Sequence, residues 1–302
     1  MHTNSIFEEG WYLDAVAPGM WKELKVEQEG KLIARWPIVI DGKQMKLPRY
    51  VQTIGIWMNP EYVKTIADEE DVYLKLIEQL PKNKNVEWGL AHENQFYLPF
   101  VWKGFKVSVG ASYVIDDLTD LDAVFSDMTK NIQRDIKQAG KKVTVEETDD
   151  IEQLIAMSLE TYGKQGRAYI VKPDSLRRVY KACKDRNACS LLAAKDVEGR
   201  VHSMTLFVYD DRRCYYLVGA SDQALNAKSC ANTLLIWEGI KIAAKHSKVF
   251  DFEGSTIQGI GTFFRRFGSK FTYHFTISRN DLVGELFQIL KPRIKRLLGH
   301  KK

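Results

Sequence analysis

The sequence predicts an α+β protein built as two successive units, each a mixed, mainly antiparallel sheet flanked by helices. Three observations predict it. Residues 21–40 (WKELKVEQEGKLIARWPIVI) alternate apolar and polar positions on either side of Glu29-Gly30, as a hairpin requires. Residues 68–80 (DEEDVYLKLIEQL) set Val72, Leu76 and Leu80 at helical spacing. Residues 232–246 are apolar on nearly every side and run into an apolar strand at 249–252, which describes a buried helix laid on a sheet. At 302 residues the chain is long for one compact unit, so length also favours two.

Each element follows in order. After the hairpin, Asp41-Gly42 turns the chain into MKLPRYVQTIGIWM, and Asn59-Pro60 bars a helix there. Acids open the 68–80 helix, where its dipole favours them. Strands at 85–91 and 106–115 complete a first domain, 1–118. The polar stretch 116–122 is a linker and helix entry. Residues 121–140 read as one helix closed by Gly140, with Lys130, Arg134 and Lys137 sharing a face. Helices at 149–163 and 172–186 flank the loop KQGRAYIVKP (164–173), whose Arg167 and Tyr169 suit a polar substrate. Strands at 188–195, 200–209 and 214–220 lead through a polar loop to the 232–246 helix, all in a second domain, 119–302.

Hydrophobic content of 45% and charged content of 27% describe a chain that folds around its own cores. The net charge of +5 is too small to argue by itself for nucleic acid. Cys183, Cys189, Cys214 and Cys230 form no C-x-x-C and have no histidine at metal spacing, so no metal is expected. The first residues lack a basic stretch followed by an apolar run, and no segment reaches the roughly 18–20 apolar residues that span a bilayer. A cytoplasmic location follows as the expectation. Residues 281–302 are basic and amphipathic, which suits the inner membrane surface or packing on the body of the protein, with Pro292 interrupting any helix.

Chemistry gathers at two places. The strand ending at Val218, Gly219 and Ala220 leads to a buried helix whose first backbone N–H groups would attract an anion. Asn226, Lys228, Ser229, Cys230, Ala231 and Asn232 surround that helix start, although Ser229 or Asn232 could equally serve as a plain cap. The second place is VFDFEGSTIQGIGTFFRRFGSKFTYH, residues 249–274. There Glu253 stands just beyond a strand end as a candidate base, with Asp251 as either a second acid or a structural one. Arg265 and Arg266 stand between aromatics and could clamp an anion. Ser255, Tyr216, Arg134, Arg167 and Tyr169 complete a candidate substrate set. His202, in the middle of a strand, reads as a core histidine. No P-loop, HExxH or serine elbow occurs, so kinase, zinc-protease and serine-hydrolase readings lack support.

DFEGS, a Gly-containing spacer and F-x-R-R-F-G resemble the end of the Fem-type and related GNAT-like acyltransferases, the double-GNAT proteins that include peptidoglycan-bridge aminoacyl transferases. TKNIQRDIKQAGKKV (129–143) resembles the basic helix that precedes their second GNAT unit, and LVGASD, NAKSCANTLLIWEGIKIAAK and VFDFEG follow the order of its core. The resemblance covers roughly 125–275. It implies two tandem GNAT-like domains, with an acyl-CoA donor at 218–232 and an amine or hydroxyl acceptor, such as an amino sugar of a cell-envelope precursor, near Tyr169 and Arg265-Arg266. Two departures stand out: 224–232 (ALNAKSCAN) lacks the glycines of the acyl-CoA fingerprint, and Phe264 stands where the pattern carries a lysine. The alternatives are an aminoacyl-tRNA donor and a catalytically idle binding module. The absence of a long helical-hairpin arm, which the resemblance associates with tRNA-using members, ranks acyl-CoA ahead of tRNA.

Overall fold

The computed structural model describes residues 2–280 except Gln165, Ser255 and Thr256, with the side chain of Tyr169 also outside the description. The chain begins with a short 3₁₀ turn (Ile6–Glu8) and α1 (Gly10–Val16). Strands β1 (Trp21–Gln28), β2 (Lys31–Asp41), β3 (Gln44–Lys46) and β4 (Trp57–Met58) precede α2 (Ile66–Glu78). Next come β5 (Asn85–Gly89), α3 (Leu98–Trp102) and β6 (Lys106–Ile115). Then follow α4 (Leu121–Asp127), α5 (Lys130–Ala139), β7 (Thr144–Glu147), α6 (Ile151–Gly163) and α7 (Pro173–Lys184). Strands β8 (Cys189–Lys195), β9 (Val201–Tyr209) and β10 (Arg213–Ser221) lead to α8 (Gln223–Ser229) and α9 (Ala231–His246). The last are β11 (Val249–Asp251), α10 (Gln258–Arg265) and β12 (Lys270–Arg279).

The chain divides into two compact units, and the division falls within β6 and β12. Among the described residues the first comprises 2–8, 17–110 and 274–280, and the second 9–16 and 111–273. In the first unit the strands run β1-β2-β3-β5-β12, antiparallel except where β3 lies parallel to β5. Glu29 and Gly30 both take positive φ, the turn that matches strand twist in a two-residue hairpin. Helix α2 starts two residues earlier than its apolar spacing predicts, because Thr65 and Asp68 form a reciprocal capping box. In the second unit the order is β6-β11-β10-β9-β8-β7, antiparallel except for β10 and β11. Each unit thus holds one parallel pair whose connection carries a helix: β3–α2–β5 in the first, β10–α9–β11 in the second. The residues themselves show no convincing repeat, although both halves share the order strands–helix–strand.

The core of the second unit forms where α5 and α9 cover the sheet: Ile132, Ile136 and Ala139 from α5, and Leu235, Ile236, Ile240 and Ala243 from α9. Phe207, Phe250, Phe252, Phe264 and Phe267 close it from the sheet side and from α10. Two expectations are corrected here. The 121–140 helix is two helices, because Met128 turns extended and the Thr129 N–H bonds the Arg266 carbonyl at 2.9 Å, leaving the helical ladder. The expected polar loop after β10 is instead the helix α8, which Asp222 caps by accepting the Leu225 N–H at 2.9 Å.

Candidate active site

Strands β10 and β11 run side by side for only three residue pairs, ending at Tyr215 opposite Asp251. Beyond that point each keeps its outer partner. Phe252 N–H still bonds the Tyr113 carbonyl at 3.0 Å, while β10 continues along β9 after a register shift between Tyr216 and Val218. A bulge of this kind turns its strand, so a wedge opens between two parallel strands. Phe264 bridges its lips: its ring centroid lies 5.9 Å from that of Tyr216 and 4.8 Å from that of Phe252.

Asp251 anchors the base of the wedge. Fully buried, it accepts the Ser112 hydroxyl at 2.5 Å, the Glu253 N–H at 2.8 Å and the Arg213 guanidinium at 2.7 Å. Those bonds give it the structural job, one of the two roles its sequence position allows. They also hold Glu253, a non-glycine residue at φ 58, in left-handed backbone. A side chain there costs about 1–2 kcal/mol, which the surroundings must sustain. Gly254 follows at φ 59, and a Cβ on it would stand 1.9 Å from the Ala111 carbonyl oxygen, so the chain passes too close for any side chain. Glu253 is within electrostatic reach of Tyr12 on α1, whose phenol is raised well above its usual range by burial first, then by Cys183 and Glu253. Tyr12 gave no sequence signal, because nothing in residues 1–20 points to the second unit. Tyr216, with its ring hydroxyl packed over Gly219, is pushed up to about 12 by burial and stays an O–H donor at neutral pH.

The helix start is closed, contrary to expectation. Ala231 N–H bonds Ser229 Oγ at 3.3 Å, and Asn232 N–H bonds Asn226 Oδ1 at 2.8 Å. Thr233 N–H goes to the Cys230 carbonyl at 3.0 Å, and Cys230 N–H itself goes to the Asn226 carbonyl at 2.8 Å. The four amides that a helix leaves unpaired at its start are therefore taken within the chain. Cys230 makes the reversal between α8 and α9 at φ 57, with its neighbours Ser229 and Ala231 buried, as are Val218 and Ala220 in β10. Gly219 is half-buried in β10 beside them. Burial first and Asp135 second push the Cys230 thiol up, against Lys142 and Arg134.

Arg265 and Arg266 do not line the wedge. Phe264 and Phe267 occupy the inward face of this segment, which leaves both guanidinium groups exposed. They sit instead beside the start of α5, through the Thr129–Arg266 bond. From there Lys130, Arg134, Lys137, Lys141 and Lys142 are all exposed, Arg134 pairing with Asp135 at 3.2 Å. Lys142 reaches the Lys228 carbonyl at 2.5 Å, so the same basic face ends at the α8–α9 reversal. Thr161 bonds the Ser221 carbonyl at 3.3 Å, which starts the 164–172 loop at the end of β10. Arg167 is exposed there, and Tyr169 lies in a 3₁₀ turn, Ala168–Ile170. Ser255 and the basic stretch 281–302 lie outside the described residues. No helix among the described residues is long and apolar enough to cross a membrane, and none of their His, Cys, Asp or Glu side chains form a metal-ligating group.

Residues 126–260 match the family model described as an acetyltransferase (GNAT) domain. No curated protein matches the chain in sequence. Among solved structures, FemX superposes with a TM-score of 0.71 at 12% identity, over 95% of each chain. L-PGS from Bacillus licheniformis gives 0.55 at 12% identity, covering 96% of this chain and 92% of that one. A tandem GNAT protein from the clavulanic acid biosynthesis pathway gives 0.52 at 10% identity, covering 88% and 85%. At such identities the likeness is one of fold.

Proposed function

We propose that this chain, whose residues 126–260 match an acetyltransferase (GNAT) domain, is a GNAT-like acyltransferase of the Fem type, and that it moves an aminoacyl group from an aminoacyl-tRNA to an amine or hydroxyl of a cell-envelope precursor. The observation that carries the choice of donor is the closed start of α9. A pyrophosphate cradle needs free amides, and here all four are bonded within the chain by Ser229, Asn226 and Cys230. Acyl-CoA, which the sequence ranks first for want of a helical-hairpin arm, loses the anion site at 218–232 that would hold it. The exposed cations of α5, with Lys228, Arg265 and Arg266, suit a phosphodiester backbone instead, since such contacts come from lysine and arginine spread over a surface.

In this reading the acceptor nitrogen or oxygen attacks the ester carbonyl in the wedge. Glu253 takes the acceptor's proton, and the Tyr216 hydroxyl donates to the oxyanion as it forms. The ester C–O bond then breaks, and the departing 3′-oxygen takes a proton back. Phe264 and Phe252 keep water from the wedge, and Arg167 with Tyr169 meets the acceptor. Asp251 keeps Glu253 in place without touching the substrate. The cations hold the carrier, and the reaction takes place on the cytoplasmic face of the membrane that bears the acceptor.

A single-turnover assay tests this reading, with labelled aminoacyl-tRNA or acetyl-CoA as donor and a panel of amino sugars and lipid-linked muropeptides as acceptors. The expected result is transfer from the aminoacyl ester, abolished in Glu253→Gln. Transfer from acetyl-CoA alone would reverse the donor assignment. Binding of acceptor with turnover from neither donor would favour the idle module.

A further inference from the structure

His202 has no part in the chemistry above, yet it grips both ends of α8. Its backbone carbonyl accepts the Asp222 N–H at 3.0 Å, where the helix begins. Its ring Nδ1 lies 2.8 Å from Ser229 Oγ, where the helix ends. The other nitrogen, Nε2, lies 3.0 Å from Asp196 Oδ2 in the turn between β8 and β9. All three side chains are buried, with His202 and Ser229 only 6% and 2% exposed.

The direction of this chain of bonds follows from donor inventory. Asp196 is held well below the usual carboxylate range, by His202 first and then by the Arg200 side chain and N–H. A carboxylate only accepts, so Nε2 carries a proton. In the neutral ring Nδ1 is then an acceptor, and the nearest hydroxyl facing it is that of Ser229. Leu225 offers a second acceptor for the same hydroxyl at 3.0 Å. Either way the Ser229 oxygen keeps a lone pair for the Ala231 N–H. The series Asp196, His202, Ser229 therefore ends on the first amide of α9, across the left-handed reversal at Cys230.

We propose that Asp196, His202 and Ser229 form a positioning relay that holds the Cys230 reversal and, with it, the Arg134–Lys142–Lys228 rim on which the donor carrier sits. His202 is a positioning residue for donor binding, acting through Ser229. The second half of this statement rests on the carrier assignment made above; the first half does not. Asn226 braces the reversal from one side through Asn232, and the relay braces it from the other.

Cys230 supplies a direct readout, because it is half-buried at the reversal itself, whereas Cys183 and Cys214 are buried and serve as internal references. Its alkylation by N-ethylmaleimide is followed by peptide-resolved mass spectrometry on the full chain. His202→Ala and Ser229→Ala should raise the Cys230 rate about tenfold or more, through local opening. His202→Asn keeps an amide in reach of Ser229 and should stay within about threefold of wild type. Ser229→Ala removes the same bond without altering β9, so a folding failure of the His202 variants leaves the question answerable. In transfer assays His202→Ala should raise KM for the carrier about tenfold with kcat within about twofold, and His202→Asn should restore it. Unchanged Cys230 reactivity in both alanine variants would overturn the relay, as would an asparagine variant no better than alanine. A loosened Cys230 in a protein whose wild type transfers nothing from aminoacyl-tRNA would keep the relay and overturn the carrier assignment.

Discussion

The Asn226 side-chain oxygen accepts the backbone N–H of Asn232 at 2.8 Å, and this one bond spans the reversal at which α8 becomes α9. With Ser229 holding the neighbouring Ala231 amide, the helix start is occupied by its own chain. A capping side chain contributes roughly 0.5–2 kcal/mol, enough to make a phosphate compete for each amide. The positive surface that does stand open lies along α5.

Glu253 should carry the proton transfer. Its replacement by glutamine keeps the size and the left-handed backbone bonded to Asp251, and removes only the base. Steady-state kinetics of Glu253→Gln should show kcat lower by about 10²–10⁴-fold with KM nearly unchanged. A loss confined to KM would make Glu253 a binding group.

Arg213 and Asp251 form an ion pair at 2.7 Å whose carboxylate is fully buried. Arg213→Ala would leave that charge without its guanidinium, at a cost of about 3–5 kcal/mol. Urea denaturation monitored by circular dichroism should show this loss. A change below about 1 kcal/mol would place the anchoring elsewhere.

Much of this could be read in the residues, and what could not has physical causes. The 21–40 hairpin, the amphipathic helix near 68–80 and the buried helix before β11 follow from periodicity and turn chemistry. The split between α4 and α5 did not, because the Thr129–Arg266 bond that makes it joins residues distant in the chain. Helix α8 has a sequence signal in its cap, Asp222, but its seven residues are mostly polar and too few to show helical periodicity. The place of Glu253 just after a strand end is legible in the residues; the nearness of Tyr12 is not, since only tertiary packing brings α1 close to it. The arginines of FFRRFG read as clamps because aromatics flank them, whereas Phe264 and Phe267 turn inward as core and leave both arginines at the surface.

Glu8 sets a pH dependence for the first unit. Buried and bonded to the N–H groups of Asn4 and Gly55, it is raised from 4.5 to about 7, with burial as the main cause. The folded state thus binds this proton more tightly than the unfolded chain does. Its contribution is greatest below about pH 4.5 and is lost as the pH rises to about 7, by roughly 3 kcal/mol at most. Glu8→Gln should flatten the stability profile between pH 5 and 8; an unchanged slope would assign it to other groups.

The basic face should confer salt-dependent RNA binding. Lys130→Glu, Arg134→Glu and Lys137→Glu combined should weaken tRNA binding by at least about tenfold and reduce the slope of log K against log salt by about 2–3. Catalysis with a truncated aminoacyl ester, which lacks the backbone, should be spared. Equal loss with both donors would place these residues nearer the chemistry.

The most direct test is isothermal calorimetry of the full chain with acetyl-CoA and, separately, with aminoacyl-tRNA, in wild type and in Asn226→Ala. A self-capped α9 predicts heat from the tRNA alone, with acetyl-CoA silent in wild type. Saturable acetyl-CoA binding by the wild type, lost on replacing Lys228 or Asn232, would contradict the account at its root.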